Sequence, residues 1–250
     1  MRVGLTIAAA VMLVSCSGGA AQPGKPDEKG SLMSLPAADK MPLIARKYSA
    51  EHPRATILLF HQAGSGKGEY ATIAPRLTAL GYDAVAVDAR SGGGLYGENE
   101  TVQRNGRSTD MKLAQRDLQG AVDWAAAQGR PVILWGSSYS AALAFPVAAA
   151  NPGKVKAVLA FSPGEYFDGR PAIAAAAKAV TVPVFITAAP TAEEQAQAKP
   201  IFDAVGAKDK TLFVPKDGVH GSSTLIAAKN PAGAASEWTA VEGFLKKLSL

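Results

Sequence analysis

The sequence predicts an α/β fold: a mostly parallel β-sheet with helices on both faces. Three observations carry that expectation. Short β-type runs alternate with helical segments along most of the chain. Several runs are continuously apolar instead of alternating, as strands buried on both faces are. The chemistry-bearing residues fall just past the carboxyl ends of those runs, where open α/β sheets carry their functional loops. At 250 residues and 48% hydrophobic content, the chain is long enough to bury a full core, and one globular domain is expected.

Taken in order, residues 44–50 read as an outer strand and 55–60 as a buried parallel strand. Residues 70–80 form a helix ended by Gly81, and 84–88 the next strand. A long helix over 109–128 is stopped by Gly129. Residues 132–135 are a short apolar strand entered through Pro131, and 140–150 an uncharged Ala- and Leu-rich helix with a kink expected at Pro146. Strand 155–161, helix 171–180, strand 182–188, helix 192–205 and strand 211–214 follow. A closing helix over 236–250 places Trp238, Val241, Leu245 and Leu248 on one face. No internal repeat is visible.

The N-terminal residues stand apart from this pattern. Arg2, the apolar stretch 3–14 and Leu13-Val-Ser-Cys16 resemble the signal and lipobox of bacterial lipoproteins, and the apolar stretch is too short to span a bilayer permanently. The resemblance implies cleavage after Ser15, lipidation of Cys16, and a domain held at the outer side of a membrane. Cys16 is the sole cysteine, so the mature chain is expected to hold neither a disulfide nor a zinc-thiolate site. The Gly-, Pro- and Ser-rich sequence after it reads as a flexible tether. The expected organisation is a leader at 1–15, a lipidated tether at 16–41 and a folded domain at 42–250. The formal charge of +5 is spread along the chain without a basic cluster, which argues against nucleic acid as a partner.

Gly136-Ser-Ser-Tyr-Ser140, between the strand at 132–135 and the uncharged helix, has the spacing of a nucleophile elbow. Two serines compete for its tip. Around Ser138 the positions two residues away are Gly136 and Ser140, both small; around Ser137 they are Trp135 and Tyr139, too large for the close approach of strand and helix. The tip is therefore Ser138. His220, between Gly218 and Gly221 on the loop after the last strand, has the mobility and reach of a general base for that hydroxyl. His61 reads as a residue that holds its turn by hydrogen bonds, His52 as a surface residue, and Asp88 and Arg90 as organisers of their loop.

Together, the elbow, the His61-Gln-Ala-Gly loop, the Asp88-Ala-Arg-Ser-Gly loop and the Gly218-Val-His-Gly loop resemble the α/β-hydrolase superfamily, in its small branch of dienelactone-hydrolase-like and carboxylesterase-like proteins. The resemblance spans about residues 42–250. It implies an oxyanion hole built from the backbone N–H groups of Ala63 (Gln62 being the near alternative) and Tyr139. It also implies a triad in the chain order serine, acid, histidine. The expected place for the acid, after strand 182–188, holds no aspartate; Glu193 is nearest to it, with Glu194 and Glu165 as alternatives. Ser140 stands where the superfamily motif has its second glycine. Dienelactone hydrolases use a cysteine nucleophile, so their reaction is not carried over to this serine.

The expected activity is hydrolysis of a small carboxylic ester through an acyl-enzyme on Ser138, with no metal or organic cofactor. Residues 165–180 leave no room for a large cap, and the polar insertion 95–108 is the evident substrate-shaping loop. Thioester or peptide hydrolysis is an alternative reaction. A lipid-tethered binding protein that keeps the fold without the chemistry is the alternative from another class. Oligomeric state is not legible.

Overall fold

The apolar runs of the sequence become the middle of one eight-stranded sheet. The structure is a computed structural model, and it describes Met1, residues 29–167 and residues 172–250. The leader at 1–15, Cys16 and most of the 16–41 tether lie outside the described residues. In chain order the elements are β1 (Ser31–Pro36), β2 (Pro42–Tyr48), β3 (Thr56–Phe60), α1 (Ile73–Ala79), β4 (Asp83–Val87), α2 (Glu100–Asn105) and α3 (Gln115–Ala126). Then come β5 (Val132–Ser137), α4 (Tyr139–Ala150), β6 (Val155–Phe161), α5 (Ala172–Ala177), β7 (Val184–Thr187), α6 (Ala192–Ala204), β8 (Lys210–Phe213) and α7 (Ala234–Lys247). Short 3₁₀ turns occupy Lys67–Tyr70, Met111–Ala114 and Gly221–Leu225.

The strands lie in the order β1-β2-β4-β3-β5-β6-β7-β8; β2 pairs antiparallel with both β1 and β4, and all other neighbours pair in parallel. Period-two alternation sends Leu58, Phe60, Val85, Val87 and Leu134 to the face covered by α3, α4, α5 and α6. Ile57, Leu59, Ala86, Ile133 and Trp135 go to the other face, beneath α1 and α7. Both faces are thus buried, which explains why the central strands read as unbroken apolar runs. Trp238, Val241 and Leu245 of α7, and Leu248 just past its end, are all buried, as their spacing predicted.

The expected tether is corrected at its C-terminal end. Residues 31–36 form β1, an edge strand that pairs Leu35 with Leu43 of β2. Only alternate side chains of this strand reach the core, Leu35 being buried and Leu32 exposed, so its hydropathy signal is too thin to stand out from a linker. Two further departures are local. The helix expected over 109–128 begins as the 3₁₀ turn at Met111 before becoming α3. The polar insertion carries α2, capped by Asn99 at its start and by left-handed Gly106 at its end. Helix α4 runs through Pro146 without ending there. The only described element between β6 and β7 is the short α5. Among the described residues, no helix is long and apolar enough to cross a membrane.

Candidate active site

Strand β5 ends at Ser137, α4 begins at Tyr139, and the residue between them is strained. Ser138 has φ 60° and ψ −123°, a left-handed backbone that an L side chain seldom adopts. The strain is held by close packing around it. A Cβ on Gly136 would lie 2.5 Å from the N and Cα of Ala141, so strand and helix cross at a distance only glycine permits. Ser140 does not crowd the turn, because its hydroxyl accepts from the Ser137 N–H at 2.9 Å and reaches the Phe60 carbonyl at 2.7 Å. The side chain that replaces a glycine thereby fastens the elbow to the end of β3. Ser138 N–H donates to the Phe161 carbonyl at 2.8 Å.

His220 sits at the start of the 3₁₀ turn Gly221–Leu225, with its ring half-exposed. Its Nδ1 pairs with Glu194 Oε1 of α6. The expectation that Glu193 would fill this place is corrected: Glu193 is exposed, and the acid against the histidine is Glu194. The reason is helical geometry. Glu194, Ala198 and Ile201 fall at i, i+4 and i+7 on the face of α6 that packs inward, and Ala198 and Ile201 are buried, whereas Glu193 is rotated about 100° away. Thr191, the N-cap of α6, accepts from the Glu194 N–H at 3.3 Å. The other alternative, Glu165, is engaged elsewhere, since its carboxylate accepts from the N–H groups of Ile173 and Ala174 at 3.0 and 2.8 Å and caps α5.

The pair tunes both its members. The hydrogen bond that His220 donates to Glu194 raises the imidazole above its ordinary value, against the opposing effect of burial. Burial pushes the Glu194 carboxyl up, but hydrogen bonds from His220, Ser162 and the Ala189 N–H, with the histidine's charge, outweigh it and hold the group below its ordinary value. The histidine loop is docked to the elbow from below. Gly221 N–H donates to Ser162 Oγ and Ser222 N–H to Ser137 Oγ, both at 2.9 Å. Gly221 has φ +68°, and a Cβ there would lie 2.5 Å from Ser137 Oγ.

The loop after β3 supplies the other half. Gln62 N–H is taken by Glu69 Oε2 at 2.9 Å, which leaves the exposed Ala63 to present a donor. Tyr139, as the first residue of α4, has an N–H without a partner four residues earlier. His61 is fully buried, its Nδ1 on the Gln62 carbonyl at 2.8 Å and its Nε2 accepting from Ala89 N–H at 3.0 Å. Both nitrogens are occupied and burial pushes the ring below its ordinary value, so it holds the turn as a neutral imidazole. Asp88 accepts from Lys67 N–H, Lys67 Nζ and Glu100 N–H, while Arg90 pairs with Asp39 and Asp117. These two are scaffold, as read from the sequence.

Sequence reasoning missed Ser162 and Tyr166. Ser162, with φ 53°, bonds both Glu194 and Gly221. The Tyr166 hydroxyl donates to the Ser162 carbonyl at 2.8 Å and lies within hydrogen-bonding reach of Ser138. A left-handed serine one residue past a buried strand has no sequence signature, and an exposed-looking tyrosine in a polar loop has little. Tyr166 also divides the open face. On one side a cavity of about 400 Å³ is lined by Thr191, Glu194, Gln197, Val219 and His220; on the other, one of about 320 Å³ is lined by Thr109, Met111, Lys112 and Phe167.

The serine aminopeptidase S33 family of hydrolases matches residues 51–190, a span that contains Ala63 and Ser138 and stops short of Glu194 and His220. No curated protein sequence matches the chain. Among solved structures, dienelactone hydrolase from Anabaena variabilis superposes with a TM-score of 0.68 at 18% identity, covering 90% of this chain and 100% of its own. An esterase from Pyrococcus furiosus gives 0.66 at 16%, over 88% of this chain and 93% of its own. A cold-adapted esterase from an Arctic intertidal metagenomic library gives 0.65 at 22%, over 90% and 98%. These likenesses bear on the fold alone. The chain belongs to the serine aminopeptidase S33 family, hydrolases built on the α/β-hydrolase fold.

Proposed function

We propose that the protein is a serine hydrolase of small carboxylic esters that works through an acyl-enzyme on Ser138. The observation that carries this reading is the strained backbone of Ser138 at the end of β5, in a fold whose later loops bring a histidine against a carboxylate. Glu194 keeps the Nδ1–H tautomer of His220, so Nε2 is free to accept a proton. His220 takes the Ser138 proton as Oγ attacks the ester carbonyl; the Ala63 and Tyr139 N–H groups receive the developing oxyanion. The imidazolium then protonates the leaving alcohol, and the C–O bond breaks to leave Ser138 acylated. Water, deprotonated by the same histidine, attacks the acyl-enzyme, and the acid is released with Ser138 reprotonated. No step calls for a metal or organic cofactor.

The two cavities flanking Tyr166 suit a short acyl chain on one side and a small alcohol on the other, at the lower end of the volumes small-molecule sites occupy. The name of the matched family makes cleavage of a peptide with a free amino terminus the second reading, and thioesters remain in the same chemistry. The Cys16 lipobox supports placement on a membrane through an acyl anchor, with the domain exported. A fluorophosphonate probe tests the central claim. It should modify Ser138 in the wild type, and Ser138→Ala should remove labelling and lower ester turnover on the order of 10⁴-fold or more while the fold stays intact. Unlabelled wild-type protein would favour the non-catalytic binding protein; turnover of an alanyl anilide well above that of an acetyl ester would favour the peptidase.

A further inference from the structure

Glu69 lies in the 3₁₀ turn Lys67–Tyr70, fully buried, and no step above uses it. Its Oε2 accepts from the Gln62 N–H at 2.9 Å, and its Oε1 from the Ser137 hydroxyl at 2.7 Å. The Ser65 hydroxyl, which also donates to the Gly66 carbonyl, lies within hydrogen-bonding reach. Ser137 Oγ in turn accepts from the Ser222 N–H at 2.9 Å. One carboxyl therefore touches the residue before the Ala63 donor and the residue before the nucleophile. Through Ser137 it also reaches the segment two residues beyond His220.

A buried carboxylate is an expensive way to make such a joint, since an amide or hydroxyl would be far cheaper to desolvate. Burial pushes the carboxyl up, but the Gln62 N–H and the Ser137 hydroxyl both present donors to it, as they would to an ionised group. Among the described residues no cation forms a salt bridge with it: Lys67, two positions earlier, gives its Nζ to Asp88 and Glu100. The titratable groups that feel its charge are the phenols of Tyr70 and Tyr139, and His220. Of these, only His220 becomes a cation in the working pH range.

We infer that Glu69 is a positioning residue, which fixes the Ala63 donor against the elbow and supplies a buried negative charge to the imidazolium that His220 becomes. The inference rests on the reading of Ser138 and His220 as nucleophile and base. Both effects belong to the transition state, since the oxyanion and the imidazolium arise only after proton transfer, so kcat carries them and KM does not.

The test is the pH profile of activated-ester hydrolysis by the full chain, for the wild type, Glu69→Gln, Glu69→Asp and Ser137→Ala, with thermal melts to establish folding. In Glu69→Gln, kcat should fall on the order of 10²-fold with KM nearly unchanged. The acid limb of kcat/KM should move to lower pH by on the order of half a unit, because an imidazolium that loses a neighbouring negative charge gives up its proton more readily. Glu69→Asp keeps the charge but is too short to reach both Gln62 and Ser137, and Ser137→Ala removes the joint alone. Both should lower kcat and leave the limb in place. Equal losses in Glu69→Gln and Glu69→Asp with an unmoved limb would show a merely structural acid and overturn the inference. Wild-type kcat in Ser137→Ala would do the same, and it decides the matter if Glu69→Gln does not fold. Fluorophosphonate labelling separates the two failures. A wild type that is not labelled sinks the Ser138 reading and this inference with it, whereas a labelled wild type with either result above sinks this inference alone.

Discussion

Glu194→Gln is the sharpest perturbation of the site, because it keeps the shape of the side chain and removes its charge. The carboxylate accepts hydrogen bonds from the His220 ring, the Ser162 hydroxyl and the Ala189 N–H. An amide has one oxygen with two lone pairs and an NH2 group that only donates. Three donors cannot all be served, so at least one must face the NH2. If that one is His220, the ring escapes the clash by switching tautomer. Nδ1 then accepts and Nε2 carries the proton, and such an imidazole cannot take the proton of Ser138. Loss of the correct tautomer and of the imidazolium's partner should lower kcat on the order of 10⁴-fold, which is about 5.5 kcal/mol in the barrier. KM should change little. The residual activity should also have its acid limb at lower pH than the wild type, since the Glu194 hydrogen bond is the main cause of the raised His220 value. Steady-state hydrolysis of an activated acetate ester across acid and neutral pH measures all three quantities. Glu193→Gln, one residue away on the exposed side of α6, should leave turnover near wild type. Near-normal turnover in Glu194→Gln, or a collapse in Glu193→Gln, would refute the assignment of the acid.

Two further outcomes can be checked independently. Glu237 of α7 is buried against the hydroxyls of Thr187 and Thr224, and burial pushes its carboxyl up to about 7. The folded state therefore holds this proton more tightly than the unfolded chain. The stability it contributes is fully present below the ordinary glutamate value and is lost as pH rises to about 7, at up to ~1.4 kcal/mol per pH unit. Glu237→Gln should flatten that part of the stability profile, and parallel wild-type and variant curves in chemical denaturation would reject the assignment. Cys16 should carry a diacylglyceryl group at the N-terminus of protein extracted from membranes, and mass spectrometry showing a soluble mature chain that starts elsewhere would remove the anchor.

The sheet was legible in the sequence because its strands are buried on both faces. A run such as Thr56–Phe60, with every residue in the core, leaves no ambiguity of period. Strand β1 failed the same reading for the opposite reason. It is an edge strand with one buried position per turn of the pleat, and Ser31-Leu-Met-Ser-Leu-Pro36 looks no different from a linker until β2 is beside it. The acid was missed by one residue for a reason that was present in the sequence. The inward stripe of α6 passes through Glu194, Ala198 and Ile201, and helical phase would have separated the two glutamates where distance from the strand end did not. Glu69 could not have been found that way. Its role depends on three contacts that converge from residues 62, 65 and 137, and nothing local marks a glutamate in a short turn as buried.

The elbow itself shows how far residue identity can go before backbone geometry must take over. Ser137, Ser138 and Ser140 carry the same hydroxyl within four residues, yet each has a different task. Ser137 and Ser140 are wholly buried and their hydroxyls are consumed, the first between Glu69 and Ser222, the second between the ends of β3 and β5. Both act as joints that hold the turn. Of the three, Ser138 alone has positive φ, and it is 7% exposed, with the Tyr166 hydroxyl within hydrogen-bonding reach. The steric argument from Gly136 and Ser140 selects the same residue, because only a tip flanked by small side chains two positions away lets β5 and α4 meet at 2.5 Å from a notional Cβ. Size pattern in the sequence and strain in the backbone are thus two expressions of one constraint, and it is that constraint, more than the serine itself, that singles out Ser138 at the tip of the elbow.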